Sequence, residues 1–397
     1  MRGGIFSRPV LKFKWGTAIT PYEGFKMGLK PLKGPHFIEM CALVRRDLKE
    51  ECEEFLNRLI NGIHVFRGFE EWFDCVVACD KIVVDENREY LDAAGHVDAD
   101  VVLAVIPDEM AVEYEEDPYM PLKRELSMRG IPSQMVTFST VKYLGDKGYV
   151  LFNLALNIYA KAGGIPWALA EELYFDTVVG LDVGGGNIVV ASLGKSIEEF
   201  HWRRAFNPQV EVAVSLKDIL LDTLVALSEK RELKRVVIHR DGIAFPHEVE
   251  VVRDVFSELK YMGYDVPLWA FVEVKKRAIP RILRSIKGGY KNPVQGVYVE
   301  LDPFKYIVAT VGYPEHPLLS HYGVARPLVV ELVETSNWEL EFRRVVRDIY
   351  WLSQLNWASG LLPSRLPIST LYPHRIISFL RAGVHPPDEF MRRMWFL

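Results

Sequence analysis

Glutamine is scarce in this chain: Gln134, Gln209, Gln295 and Gln354 are its whole complement in 397 residues, beside 23 prolines. Few thermolabile amides and many loop prolines lean towards a protein built for heat. Cysteine is as sparse. Cys41, Cys52, Cys75 and Cys79 contain no Cys-x2-Cys pair and have no histidine at zinc-site spacing beside them. That sets aside zinc ribbons and disulfide scaffolds, and predicts reduced core thiols in a cytoplasmic protein. No signal peptide and no apolar run of membrane-spanning length is read, so no membrane partner is expected. Internal repeats and low-complexity tracts are missing too, which excludes solenoids. Nor is there a charge excess of one sign: 48 basic against 53 acidic residues leave −5, so no global basic field advertises nucleic acid. The basic residues are grouped, however. Residues 1–34 carry Arg2, Arg8, Lys12, Lys14, Lys26, Lys30 and Lys33 against Glu23 alone, and a second run extends from Lys275 to Lys291. Either run alone reads equally well as a solvated face.

What the chain does have is a stretch around which the rest is organised. Val178-Val179-Gly180-Leu181-Asp182-Val183-Gly184-Gly185-Gly186-Asn187 runs straight into Ile188-Val189-Val190-Ala191. Two β-branched strands joined by a glycine turn are predicted, with a carboxylate inside the first. A charge in an apolar strand is costly unless something pairs or ligates it. Asp241 then closes a second apolar strand, Arg235-Val236-Val237-Ile238-His239-Arg240-Asp241-Gly242. Two strand-borne aspartates aimed at one spot suit a divalent metal and phosphate oxygens.

The flanking pattern is α/β. Residues 1–36 hold short β-like pieces, too few to bury a core alone, that should dock on the domain after them. From Phe37 to Pro166, near-continuous apolar runs at 37–44, 82–84, 99–107 and 135–138 alternate with helical periodicity, as in a parallel sheet covered by helices. From Trp167 the expected order is the Asp182 hairpin, a strand near Phe200, a helix at 212–229, the Asp241 strand, a helix at 247–262, further strands, and closing helices at 339–356 and 373–382. The fold class is therefore α/β, a Rossmann-like domain followed by a strands-then-helices domain of the RNase H order.

Glycine hairpins after an aspartate occur in sugar kinases and actin-like ATPases, and a metal-binding aspartate on the same strand occurs in RNase H-class nucleases. The kinase alternative needs a second glycine-rich phosphate hairpin and an adenosine loop, and neither is found downstream. Taken in order, the motifs resemble the MID and PIWI halves of an Argonaute of a short archaeal type, from about Gly28 to Leu397. The resemblance implies a linker or strand segment over 1–36, a MID domain over 37–166 and a PIWI domain over 167–397. It also implies a catalytic set of Asp182, Asp241, His374 and a finger glutamate. Glu211 is the candidate finger, with Glu198 and Glu199 as competitors, and His374 is placed at a helix start. Mg²⁺ or Mn²⁺ would be the cofactor.

A second constellation comes from the same resemblance. Tyr119 and Lys123, four apart, share a helix face. With Gln134, Asn153, Lys161 and the carboxylate of Leu397 they match residues that clamp a guide strand's 5′ phosphate. A divalent ion at Gln134 and Leu397 would relieve the repulsion between carboxylate and phosphate. Lys275, Lys276 and Arg326 (in Gly323-Val324-Ala325-Arg326-Pro327) are expected near the duplex backbone. The implied partners are a 5′-phosphorylated DNA or RNA guide and a complementary target. A full Argonaute carries N and PAZ domains for which this chain has no room, so a separate subunit is expected as well. Two functions stay open: a guided endonuclease, or a catalytically silent guided sensor working with a partner effector.

Overall fold

The computed structural model describes residues 2–109, 117–194, 199–206, 212–277, 280–314 and 323–397. The chain forms two compact units. The first comprises Leu11–Ala168, Trp357–Leu361 and Ala382–Leu397; the second comprises Met1–Val10, Leu169–Asn356 and Leu362–Arg381.

The first unit is built on a four-stranded parallel sheet, ordered Val76–Val84, Phe37–Arg45, Val101–Ile106, Ser133–Thr137. The Val101–Ile106 strand is buried at every position, as a central strand with helices on both faces must be. Beside the sheet, Phe25, Trp72, Phe73 and Phe152 stack within one aromatic cluster with centroid separations of 5.0–6.4 Å. Helix Tyr119–Met128 has the predicted bounds, and helix Gly148–Lys161 ends on a buried lysine. Phe138, expected to close a strand, instead opens a short helix capped by the Thr137 hydroxyl.

In the second unit nine strands form one mixed sheet. Its order is Arg2–Ile5, Val297–Asp302, Lys305–Val308, Leu328–Thr335, Leu268–Lys275, Arg235–Asp241, Thr177–Gly184, Asn187–Leu193, Phe200–Phe206. The last three form an antiparallel meander, and the Arg235 and Leu268 strands run parallel to the Thr177 strand. That is the RNase H-like arrangement. Side chains alternate across the sheet. Val179, Leu181, Val236 and Ile238 enter the core formed with helices Val212–Ser228 and Pro246–Tyr261. Gly180, Asp182, His239 and Asp241 therefore face the other side, where helix Ile368–Arg381 packs.

One glycine decides how close that helix comes. A Cβ on Gly180 would lie 1.6 Å from the Ser369 carbonyl oxygen, so nothing larger than hydrogen fits. Pro373, inside the helix, has no N–H for the carbonyl four residues back, which is this same Ser369. The helix thus turns its interrupted hydrogen bond towards the one strand position without a side chain. Among the described residues, no helix is long and apolar enough to cross a membrane.

Candidate active site and phosphate cradle

Register brings the two aspartates together. Arg240 lies opposite Leu181 on the neighbouring parallel strand, so the next pair along is Asp241 and Asp182. Both are buried, Asp182 at 7% and Asp241 at 9% exposure. His374 stands over them, half exposed, with Nδ1 3.2 Å from Asp182 Oδ2 and 3.5 Å from Asp241 Oδ2. It is the seventh residue of helix Ile368–Arg381 and not at a helix start as expected, because the helix begins five residues before Pro373.

One ligand atom from each of Asp182, Asp241 and His374 lies within 4.8 Å of the others. Asp241 Oδ1 is buried without a hydrogen-bond partner, an arrangement unfavourable for a bare carboxylate and suited to an incoming cation. Burial pushes the Asp241 carboxyl up; Lys276 pulls it down, Asp182 pushes it up and His374 pulls it down. Two carboxylates and an imidazole form a hard donor set that can hold a divalent ion.

Several contacts support this cluster that sequence alone leaves unread. Arg240, in the strand face behind Asp241, places Nε 3.1 Å from both oxygens of buried Glu248. Its Nη1 donates to the Asp241 main-chain oxygen at 2.7 Å and lies 3.5 Å from Asp182 Oδ1. Glu248 also accepts the Phe245 N–H at 2.9 Å, closing the turn after Asp241. Glu248→Gln should lower stability by about 1–3 kcal/mol, the worth of a charged hydrogen bond in a buried setting. Thermal melting with and without Mn²⁺ checks it, the loss being equal in both. His239, fully buried, meets Ser369 Oγ at 2.8 Å through Nδ1 and is driven down to about 3 by burial, so it is a neutral support for the helix.

The expected backbone-binding residues divide. Lys275 Nζ lies 2.5 Å from Glu273 and 2.6 Å from Glu331, a cluster that also includes Lys305, so its charge is matched within the fold. Lys276 Nζ lies 2.5 Å from Asp241 Oδ2. Arg326 is partly exposed, and its carbonyl accepts Arg365 Nε at 2.9 Å. Arg365, not singled out in sequence, also donates to the carbonyls of Lys276 and Pro327 and so ties both turns together. Glu211 and Glu198 lie outside the described residues; Glu199 is described and exposed.

In the first unit, Lys123, Gln134 and Lys161 come together. Lys123 Nζ donates to the Ser133 carbonyl at 2.7 Å, and Lys161 Nζ to Gln134 Oε1 at 2.6 Å. Both lysines are buried, and burial brings Lys123 down to about 7. Tyr119 sits one helical turn before Lys123, half-buried against the unit's core. Asn153 is used differently: its Oδ1 accepts the Gly360 N–H at 3.1 Å. The Leu397 N–H bonds to the Met394 carbonyl at 3.1 Å, within the same unit.

A Rossmann-like unit and an RNase H-like unit whose central strands carry an Asp-Asp-His cluster define the MID–PIWI class of protein. The profile of the Piwi domain matches residues 102–385, and the chain belongs to the Piwi-domain family. It is 27% identical over 370 residues to the Argonaute of Aquifex aeolicus, covering 86% of this chain and 48% of that protein. It is 26% identical over 314 residues to Piwi-like protein 1 of Gallus gallus, covering 71% and 34%. Among solved structures, Clostridium butyricum Argonaute bound to a guide DNA and a 19-mer target DNA superposes with a TM-score of 0.79 at 25% identity, over 100% of this chain and 55% of that one. The Aquifex aeolicus Argonaute crystal structure gives 0.73 at 22%, over 100% and 56%, a likeness of fold. The chain thus spans about half the length of the Argonautes it matches. Membership closes the kinase alternative.

Proposed function

We propose that this chain binds a 5′-phosphorylated guide strand and cuts the strand paired to it. The observation that carries the reading is the meeting of Asp182, Asp241 and His374 at one point on RNase H-like strands. A neighbour in structure, the Clostridium butyricum Argonaute, holds guide and target DNA, which supports the same ligands here. Asp182, Asp241 and His374 would hold Mg²⁺ or Mn²⁺. Such ions supply an activated water and charge stabilisation at the leaving oxygen. Base pairing would supply sequence specificity, with the protein holding backbone. Residues 37–166 would act as the MID domain and 167–397 as the PIWI domain, with Glu211 as the finger and Arg326 against the duplex.

Tyr119, Lys123, Gln134 and Lys161 would take the guide's 5′ phosphate, with Asn153 steadying the helix and a divalent ion bridging to Leu397. A phosphate beside Lys123 favours its charged form, so binding takes up a proton. A 5′-phosphorylated DNA should therefore bind about tenfold or more tightly than its 5′-hydroxyl twin. The gap should shrink as pH rises above about 7, where Lys123 loses its proton. Equal affinity of the two strands at pH 6 and 8, measured by fluorescence anisotropy, would exclude this pocket. A silent guided sensor is the second reading, and Lys276 favours it by already neutralising Asp241 at 2.5 Å. Guided cleavage assays with DNA and RNA in both roles separate the two.

A further inference from the structure

Two cations stand against the Asp182–Asp241 pair, and they are held differently. Arg240 approaches from the strand face that carries the two-helix core, its guanidinium matched by buried Glu248. Moving it would leave Glu248 buried without its counter-charge, which is costly. Lys276 comes on a flexible four-carbon stem, its side chain 29% exposed, and places Nζ 2.5 Å from Asp241 Oδ2. Its neighbour Lys275 is bound by two glutamates, whereas the described ion pairs give Lys276 one carboxylate, Asp241.

The oxygen that Lys276 holds is also the one nearest His374 Nδ1, at 3.5 Å. A divalent ion shared by Asp182, Asp241 and His374 needs that same corner. An ammonium within hydrogen-bonding distance of the oxygen would then be pressed against a doubly charged ion, and the flexible partner yields.

We infer that Lys276 is a built-in counter-ion of the metal position: it pairs with Asp241 until a divalent ion takes that oxygen, and is then released. The inference rests on the nuclease reading of the cluster. It means that the site binds metal more weakly than its three donors alone would. It also means that metal uptake frees an ammonium beside the site, where a nucleic-acid phosphate is the chemistry it suits. Metal and backbone binding then favour each other, reciprocally.

The test is Mn²⁺ titration of the full chain by calorimetry, for wild type, Lys276→Gln and Lys276→Arg. Binding that survives in Asp182→Asn is subtracted as belonging to other sites. Lys276→Gln should bind on the order of tenfold more tightly than wild type, and Lys276→Arg close to wild type. Independently, acylation of Lys276 in the wild type by an N-hydroxysuccinimide ester, read by mass spectrometry, should increase when Mn²⁺ is added. Equal affinities, with labelling indifferent to Mn²⁺, would overturn the inference and leave the metal reading standing. If no variant binds Mn²⁺ above the Asp182→Asn background, both fall. Should Lys276→Gln fail to fold, wild-type labelling decides alone, and labelling unchanged by Mn²⁺ overturns the inference.

Discussion

Gly180→Val is expected to destabilise the second unit by about 4 kcal/mol, near the top of the range for single substitutions. The first added carbon would fall 1.6 Å from the Ser369 carbonyl oxygen, and that oxygen is backbone inside a packed helix. No rotamer relieves such a clash, so the helix has to lift. Ser369 Oγ would then leave His239 Nδ1, now 2.8 Å away, and His374 would leave its place over the aspartates. The melting temperature should fall by roughly 8–15 °C for a unit of this size. Stabilisation by Mn²⁺ should vanish with it, because one donor has moved. Gly180→Ala is the milder test, already carrying the offending carbon. A melting temperature within about 2 °C of wild type for both variants would show that the helix does not need this glycine.

The site is legible in sequence where local pattern and function coincide. Asp182 and Asp241 announce themselves as charges in β-branched strands, and the strand register then makes them neighbours. The helix of His374 is legible in existence and misplaced in extent. Proline is a common first-turn residue, so Pro373 reads as a start, yet here it lies mid-helix with its missing bond turned to Gly180. The Val76–Val84 strand shows in sequence only at Ile82–Val84, because Asp80 and Lys81 interrupt an edge strand half open to solvent. The Arg2–Ile5 strand pairs with Val297–Asp302, a partner almost three hundred residues away that no local signal could identify. Lys275 and Lys276 look equivalent in a basic run. Alternation sends them to different neighbours, one to a glutamate pair and one to Asp241. The roles of Arg240 and Glu248 likewise need the turn between them to be closed before their pairing can be seen.

Asp182→Ala should abolish guided cleavage while leaving guide binding within about twofold. Charge stabilisation by a bound metal is worth several kcal/mol in the transition state, and each 1.36 kcal/mol is tenfold in rate, so the expected loss is about 10³-fold or more. Stability should move the other way or not at all. Without Asp182, Asp241 no longer faces a buried like charge, and Arg240 keeps its pairing with Glu248. The wild type, by contrast, should gain melting temperature with Mn²⁺ as mass action on a native-state site requires, and the variant should gain little. Guide affinity is the internal control, since the phosphate cradle of Lys123, Gln134 and Lys161 lies in the other unit of the chain. Asp241→Asn should behave alike, with one added sign: it removes the ion pair of Lys276, so acylation of that lysine should rise without any metal. Cleavage that persists in Asp182→Ala would place the chemistry elsewhere. A wild type that binds guide and cuts nothing with Mg²⁺ or Mn²⁺, whatever the guide and target, would leave the guided sensor as the function of this chain.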